Sequence, residues 1–339
     1  MAPTEQGLDW RKSTILRKVV TEHIETGEPV GSAHLVGDEE IDVSAATVRS
    51  DMAALERDGY LTHPHTSAGR IPTDKGYRYF VDHLESDAAL DPKSADQVEH
   101  FFRRAHGELE RMLRDTSHLL SQLTDYASVV VAPTTEQLQV RNALLTRLSP
   151  ATALVVIVCS NGVVEKHTLE IDPNTTDEEI ETANSALRDQ LTGQVLGNLG
   201  PVHTSASAKV RRLIDAACAV LGGITPRGAE EVYLGGVSHM ADQFPAIETV
   251  REVLEILEQS FVVVSLISDL LESGQSVAIG AESGLASLAE CSLVVAPYTV
   301  DDEPAGTIGV LGPTRMKYPQ ALATVAVVSQ HLSRQLSNP

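Results

Sequence analysis

Aromatic residues are scarce in this chain: Trp, Tyr and Phe make up 4% of its 339 residues. Any core must therefore be aliphatic, filled by the Val, Leu, Ile and Ala of a 42% hydrophobic composition. Cysteine is nearly absent too. Cys159, Cys218 and Cys291 lie far apart and form no CxxC pair, which excludes a disulfide scaffold and implies reduced core thiols of a cytoplasmic protein. Long apolar runs are missing. The longest, Ala153 to Cys159, is too short to cross a bilayer, and the charged opening of the chain has no apolar signal segment. No membrane association is expected.

Positive charge is the most consequential shortage. Only 26 Lys and Arg stand against 47 Asp and Glu, a formal net charge of −21. Taken alone, this argues against nucleic acid, because phosphate binding needs local positive charge. The first 85 residues do not escape the trend, with 9 Lys and Arg against 15 Asp and Glu. Within them, Gly59–Phe80 turns positive through Arg70, Lys75 and Arg78 against Asp74. Enzymatic signatures are also missing. There is no GxSxG, HExxH or GxxxxGK[ST], and Gly193, Gly197 and Gly200 lack the strand-to-helix setting of a dinucleotide fingerprint. Paired carboxylates such as Glu39-Glu40 and Glu178-Glu179 fall in loops or helix starts, where solvation accounts for them. No catalysis and no cofactor are expected.

What is present reads as an α+β multidomain chain. Ile15, Leu16, Val19, Val20 and Ile24 predict an amphipathic helix over Trp10–Ile24, stopped by Gly27, Pro29 and Gly31. Ser32 caps a short helix, and Ser44 caps another that runs to about Arg57 and ends at Gly59. A single long helix is expected over Ser94–Thr124. Strands follow at Ala127–Ala132, and at Leu154–Ser160 and Val163–Ile171 around Asn161-Gly162. Helices are expected at Thr176–Gln190, Ala206–Leu221, Ile247–Gln259 and Val262–Glu272, with one strand at Glu231–Leu234 among the glycines between 222 and 236. Strands at Val277–Gly280, Ser292–Ala296 and Gly306–Gly312 precede a closing helix, Gln320–Leu336. Strands in pairs with flanking helices imply an antiparallel sheet.

Two segments carry recognisable chemistry. In SAATVRSDMAALERDG (Ser44–Gly59), Val48, Met52 and Leu55 form the core-facing side. Ala46, Ser50, Ala53 and Arg57 lie opposite, with Thr47 and Arg49 on the shoulders. Small residues allow close approach to a major groove, and Thr, Ser and Arg bond base edges or phosphates. An ordinary surface helix would satisfy this segment equally well. The next segment, GYLTHPHTSAGRIPTDKGYRYF (Gly59–Phe80), tips the balance. Tyr60–Thr62 and Gly69–Thr73 make the two strands of a wing whose tip holds His63, Pro64, His65, Thr66, Ser67 and Ala68. Arg70, at the start of the return strand, suits phosphate or a narrow minor groove. His63 and His65 read as exposed loop residues and not as a metal pair.

The stretches TGEPVGS (Thr26–Ser32), SAATVRSDMAALERDGYL (Ser44–Leu61), PHTSAGRIPTDKGYRYFVDHL (Pro64–Leu84), VYLGG (Val232–Gly236) and GTIGVLGPTRMKYPQA (Gly306–Ala321) together resemble the HrcA family of heat-inducible transcription repressors. The resemblance spans nearly the whole chain. It implies a winged helix-turn-helix DNA-binding domain over 1–85, a discontinuous GAF-like domain over 94–190 and 261–339, and an inserted dimerisation domain over 191–260. It also implies repression of chaperone operons by a homodimer on an inverted-repeat operator, CIRCE, with loss of binding on heating and maintenance by the chaperonin GroEL. Carried over to this chain, the reading helix supplies Ser44, Ala46, Thr47, Arg49, Ser50, Ala53 and Arg57, and the wing His65, Thr66, Ser67 and Arg70. The chain departs from the family at Ser50, where the family has Asn; Asn bonds adenine at two points and Ser cannot. A dimer also follows from physics, since one module with few cations makes few phosphate contacts and two joined modules gain effective concentration. In GPTRM, Gly312-Pro313 is expected to end a strand, Thr314 to cap the following helix, and Arg315 either to serve the local fold or to touch another domain or protomer.

Overall fold

The computed structural model of the chain describes residues 8–36, 41, 43–64, 69–84, 90–105, 109–133, 139–159, 164–195, 199–222, 231–239, 243–244 and 247–337. Three helices and a small hairpin build the N-terminal unit. Helix α1 (Trp10–Thr26) starts where the Asp9 carboxylate accepts the Lys12 N–H at 2.9 Å, and ends at Gly27, whose positive φ turns the chain away. Its buried Ile15, Leu16, Val19 and Val20 pack on Val48, Met52 and Leu55 of α2 (Ala45–Arg57). Strands β1 (Leu61–Thr62) and β2 (Ile71–Pro72) pair antiparallel, and Val30 bridges to Arg70 as a third, single-residue partner. Helix α3 (Asp74–Asp82) follows. Residues 32–36 form turns where a short helix was expected.

The long helix expected over Ser94–Thr124 is two helices, α4 (Pro92–Arg104) and α5 (Leu109–Thr124). Ala105 takes extended backbone angles and ends the first, and Gly107, a poor helix former, lies in the sequence between them.

A five-stranded antiparallel sheet forms the body, in the order β7-β3-β10-β9-β8. Its members are β3 (Ala127–Val131), β7 (Val232–Gly235), β8 (Val277–Ile279), β9 (Cys291–Val300) and β10 (Glu303–Pro313). Both faces are covered. Val130, Val277, Ile279, Val294, Ile308 and Val310 face α5 and the closing helix α10 (Tyr318–Ser337). The alternate residues Val129, Val131, Ala278, Leu293, Val295 and Leu311 face α8 (Ile247–Leu257) and α9 (Ser260–Glu272). Two-sided burial explains why these strands read as unbroken apolar runs. Burial pushes the Cys291 thiol up to about 12, which keeps it an unreactive core group.

A second, three-stranded sheet, β4-β5-β6, has its own core. Strands β4 (Val140–Ser149), β5 (Thr152–Cys159) and β6 (Val164–Glu170) turn Leu145, Val155, Ile157 and Leu169 toward α6 (Asp177–Leu191) and α7 (Ala208–Gly222). A full capping box closes the start of α6: Thr176 accepts from Glu179 N and Glu179 accepts from Thr176 N. Strand β4 was not foreseen. A bulge between Val140 and Asn142 puts Val140, Ala143 and Leu145 on one face and destroys the period of two that marks a strand. The Asn161-Gly162 turn lies outside the described residues.

The cores divide the chain differently from the expected domains. Val131 pairs with Val232, so β3 and β7 are neighbours and everything between them leaves and returns at one point of the body sheet. The expected boundary at 190/191 cuts through the single core that α6 and α7 share. Strand β7 and helix α8, expected within the insertion, belong to the body. The expected boundary after residue 85 marks no break in packing either, because one continuous core runs from α1 and α2 through α3 into the body. The Tyr77 and Tyr318 rings meet there at 6.0 Å.

Two expected outcomes follow. Asn184, 3% exposed, accepts Leu145 N–H at 2.7 Å and donates to Leu145 C=O at 3.0 Å, taking the place of a missing strand along β4. Asn184→Ala strands both groups and should cost about 2–4 kcal/mol, read as lost hydrogen-exchange protection confined to β4–β6, α6 and α7. His331 stacks on Phe102 at 5.6 Å. Burial, then the nearby Arg334 charge, hold its imidazole below the ordinary range against the opposing pull of Glu99. The unfolded chain therefore binds this proton at higher pH, and the stability is present above the ordinary histidine range and lost as pH falls through it. The melting midpoint should drop between about pH 7.5 and about pH 5.5, and less so in His331→Phe.

Candidate nucleic-acid interface

The exposed side of α2 collects what a groove-reading helix needs. Asp51, on its inner side, accepts a two-point pair from Arg11 of α1, at 2.7 Å from Nε and 3.2 Å from Nη2, and so fixes the angle between the helices. At the N-terminus, Ser44 caps the helix by accepting Thr47 N–H at 3.2 Å, and its hydroxyl lies 3.0 Å from that of Thr47. Ser44, Ala46, Arg49, Ser50 and Arg57 are exposed, and Thr47 and Ala53 are half-buried at the margins. All seven helix residues expected at the interface thus share one continuous side. Neither Arg49 nor Arg57 has an ion-pair partner among the described residues.

The hairpin is placed differently from expectation. His65, Thr66 and Ser67 lie outside the described residues. Arg70 is not a free wing cation: its Nε donates to Glu56 Oε2 of α2 at 2.6 Å, and its N–H and C=O pair with Val30 at 2.8 and 2.9 Å. His63 Nδ1 shares a hydrogen bond with the other Glu56 oxygen. Burial pushes the Glu56 carboxyl upward, but the bond from His63 and the charge of Arg70 outweigh it and hold the group below the usual carboxylate range. Arg11, Asp51 and Glu56 escaped the sequence reading. Glu56 had a signal, since it falls seven residues after Arg49 and so on the same side of the helix.

Helix α3 locks the unit from behind. Thr73 caps it through Gly76 N at 3.2 Å and donates its hydroxyl to Gly59 O at 2.6 Å. Lys75 donates to Asp58 O at 2.8 Å and lies over the Tyr60 ring. On its far side α3 grips the body. Arg78 donates to Val277 O at 2.7 Å and pairs with Glu282, and Asp74 accepts Ala281 N–H at 3.1 Å. Gly280 makes this possible, because its φ is positive and a Cβ there would overlap the Asp74 carboxylate. Arg315 bridges the same regions: it lies against Gly27 at the end of α1 and donates to Gln243 O at 3.1 Å. The interdomain alternative for Arg315 is therefore the one realised. Thr314 does not cap the following helix, which begins at Tyr318; its N–H goes to Glu290 O at 3.0 Å.

Gly76 is the tightest point of this arrangement, because a Cβ there would overlap the Tyr60 carbonyl oxygen. Gly76→Ala should therefore cost about 1–3 kcal/mol by overpacking. Hydrogen exchange of the β1 and β2 amides should quicken while that of β3 and β10 stays unchanged.

Comparison with known proteins agrees with the resemblance. The family model described as HrcA protein C terminal domain matches residues 110–322. The chain is 35% identical over 341 residues to the heat-inducible transcription repressor HrcA of Pelotomaculum thermopropionicum, covering 97% of each chain. It is 36% identical over 352 residues to the protein of that name from Beutenbergia cavernae, covering 97% of this chain and 99% of that one. Among solved structures, it is similar to the crystal structure of a hypothetical protein at a TM-score of 0.65 and 25% identity, over 98% of this chain and 99% of the other.

Proposed function

This chain belongs to the HrcA family of heat-inducible transcription repressors, which are not enzymes, and on that premise we propose that it represses heat-shock genes by binding an inverted-repeat operator, the CIRCE element, as a homodimer. The observation that carries the reading is the exposed side of α2, where small and hydroxylated residues surround Arg49 and Arg57, two cations with no partner among the described residues. In this reading residues 1–85 form a winged helix-turn-helix. Helix α2 enters the major groove through Ser44, Ala46, Thr47, Arg49, Ser50, Ala53 and Arg57, and the hairpin brings His65, Thr66, Ser67 and Arg70 to the adjacent backbone. The body sheet with α4, α5 and α8–α10 is the GAF-like domain.

The dimerisation domain is the unit looped out between β3 and β7. Its support is the outer face of β4–β6, where Leu144, Leu148 and Val164 are 38%, 57% and 43% exposed beside half-buried Leu154, Val156 and Val158. An apolar sheet face without a covering layer is a site for a partner, and a second copy supplies a matching one. The reading is cytoplasmic and needs no cofactor, and no helix among the described residues is long and apolar enough to cross a membrane. Chaperonin GroEL maintains the DNA-binding state, and heating releases the operator as apolar surface opens.

Fluorescence anisotropy on an inverted-repeat duplex and a scrambled one, across a salt series, tests this reading. The chain should bind the repeat tightly and the scrambled duplex weakly. Arg49→Ala should cost about 1–3 kcal/mol and relax discrimination, while Arg57→Ala should weaken both duplexes alike and lower the salt slope by about one. Equal, weak binding to both duplexes with chaperonin present would sink the proposal.

A further inference from the structure

Glu56 sits where a DNA-binding surface should not tolerate it. It follows Arg49 and Ala53 on α2 at steps of seven and three residues, so a half-buried carboxylate lies on that side of the helix, one residue before the exposed Arg57. Phosphate would repel a free carboxylate there. This one is held by two partners, the Arg70 guanidinium through Nε at 2.6 Å and the His63 imidazole through Nδ1. His63 directly follows β1 and Arg70 directly precedes β2, so one side chain on the helix grips both strands of the hairpin at their loop ends. All three groups are partly shielded from water, with side-chain exposures of 24% for Glu56, 26% for Arg70 and 38% for His63.

The hairpin needs such a grip. Each of its strands has two residues, too few for the ladder to hold an orientation by itself, and the bridge from Val30 reaches only the β2 side. Commitment of Arg70 Nε to Glu56 also orients the rest of the guanidinium, whose two terminal amino groups have no partner among the described residues. We propose that Glu56 is a positioning residue for sequence discrimination: acting through Arg70 and His63, it sets the angle of the hairpin to α2. Base reading by the helix and backbone contact by the hairpin then occur in one register.

This inference rests on the DNA-binding reading above, and the test separates the two. Wild type, Glu56→Gln, Glu56→Asp, Arg70→Ala and the Glu56→Gln/Arg70→Ala double variant are titrated against the inverted-repeat and scrambled duplexes at one salt concentration, with melting followed by circular dichroism. Glu56→Gln keeps the shape and loses the charge; Glu56→Asp keeps the charge and is too short to span both strands. Both should reduce the ratio of repeat to scrambled affinity about tenfold, the order of one misplaced base contact, with full binding amplitude and little change in melting. In the double variant, Arg70→Ala should add much less than it costs alone, because the two act as a unit. Unchanged discrimination in Glu56→Gln overturns the inference, as does equal tightening on both duplexes, which would make Glu56 only a repelling charge. A lower binding amplitude with an unchanged dissociation constant also overturns it, since that reports misfolding. In each of these cases wild type remains selective; a wild type that does not discriminate overturns the DNA-binding reading as well.

Discussion

The pairing of β3 with partners far along the chain is the constraint on which this fold depends. This five-residue strand is buried on both faces, with Val130 in the core shared with the N-terminal helices and Val129 and Val131 in the core beneath α8 and α9. It pairs with β10 on one edge and β7 on the other. Side-chain bonds pin it at both ends: Ser128 donates to Ser117 O of α5, and Tyr298 donates to Val131 O at 2.9 Å. A one-residue slip would exchange the two cores.

From that strand the geometry passes outward in two directions. Through α5, α10 and the Tyr77–Tyr318 contact it reaches α3, and α3 carries α1 and α2. Helix α2 is thus oriented against the body by packing and by the bonds of Asp74 and Arg78. Through the β3–β7 junction the geometry reaches the three-stranded unit, which adds an ion pair of its own to the body, Arg141 with Asp301 at 3.3 Å. In the proposed dimer, joined through that unit, both α2 helices would be set by one chain of rigid contacts, as recognition of two half-sites at fixed separation requires.

What was legible in the sequence was local. The Ser44 cap and the Gly59 stop place α2 within a residue of its true bounds, because capping chemistry acts over three or four positions. The side of α2 that meets solvent was legible for the same reason, from Val48, Met52 and Leu55 alone. Long-range features were hidden. The domain boundary at 190/191 was read from glycines, which mark turns but do not say which core a helix joins; α6 and α7 share one across that break. Strand β4 was hidden by its bulge. Arg70 was correctly placed beside β2, but its engagement with Glu56 depends on the hairpin folding back over α2, a distance of fourteen residues that no local pattern encodes.

The insertion between β3 and β7 also has a consequence for biosynthesis. During synthesis β3 emerges early, apolar on both faces, yet its first edge partner begins at Val232 and its second at Glu303. The inserted unit has a self-contained core and can fold in the interval, while the strand it interrupts stays unpaired. Closing the sheet is therefore a late, non-local event, and until then each new chain exposes surface that favours aggregation over folding. The yield of folded chain is therefore set during synthesis, before any folded copy is ever heated.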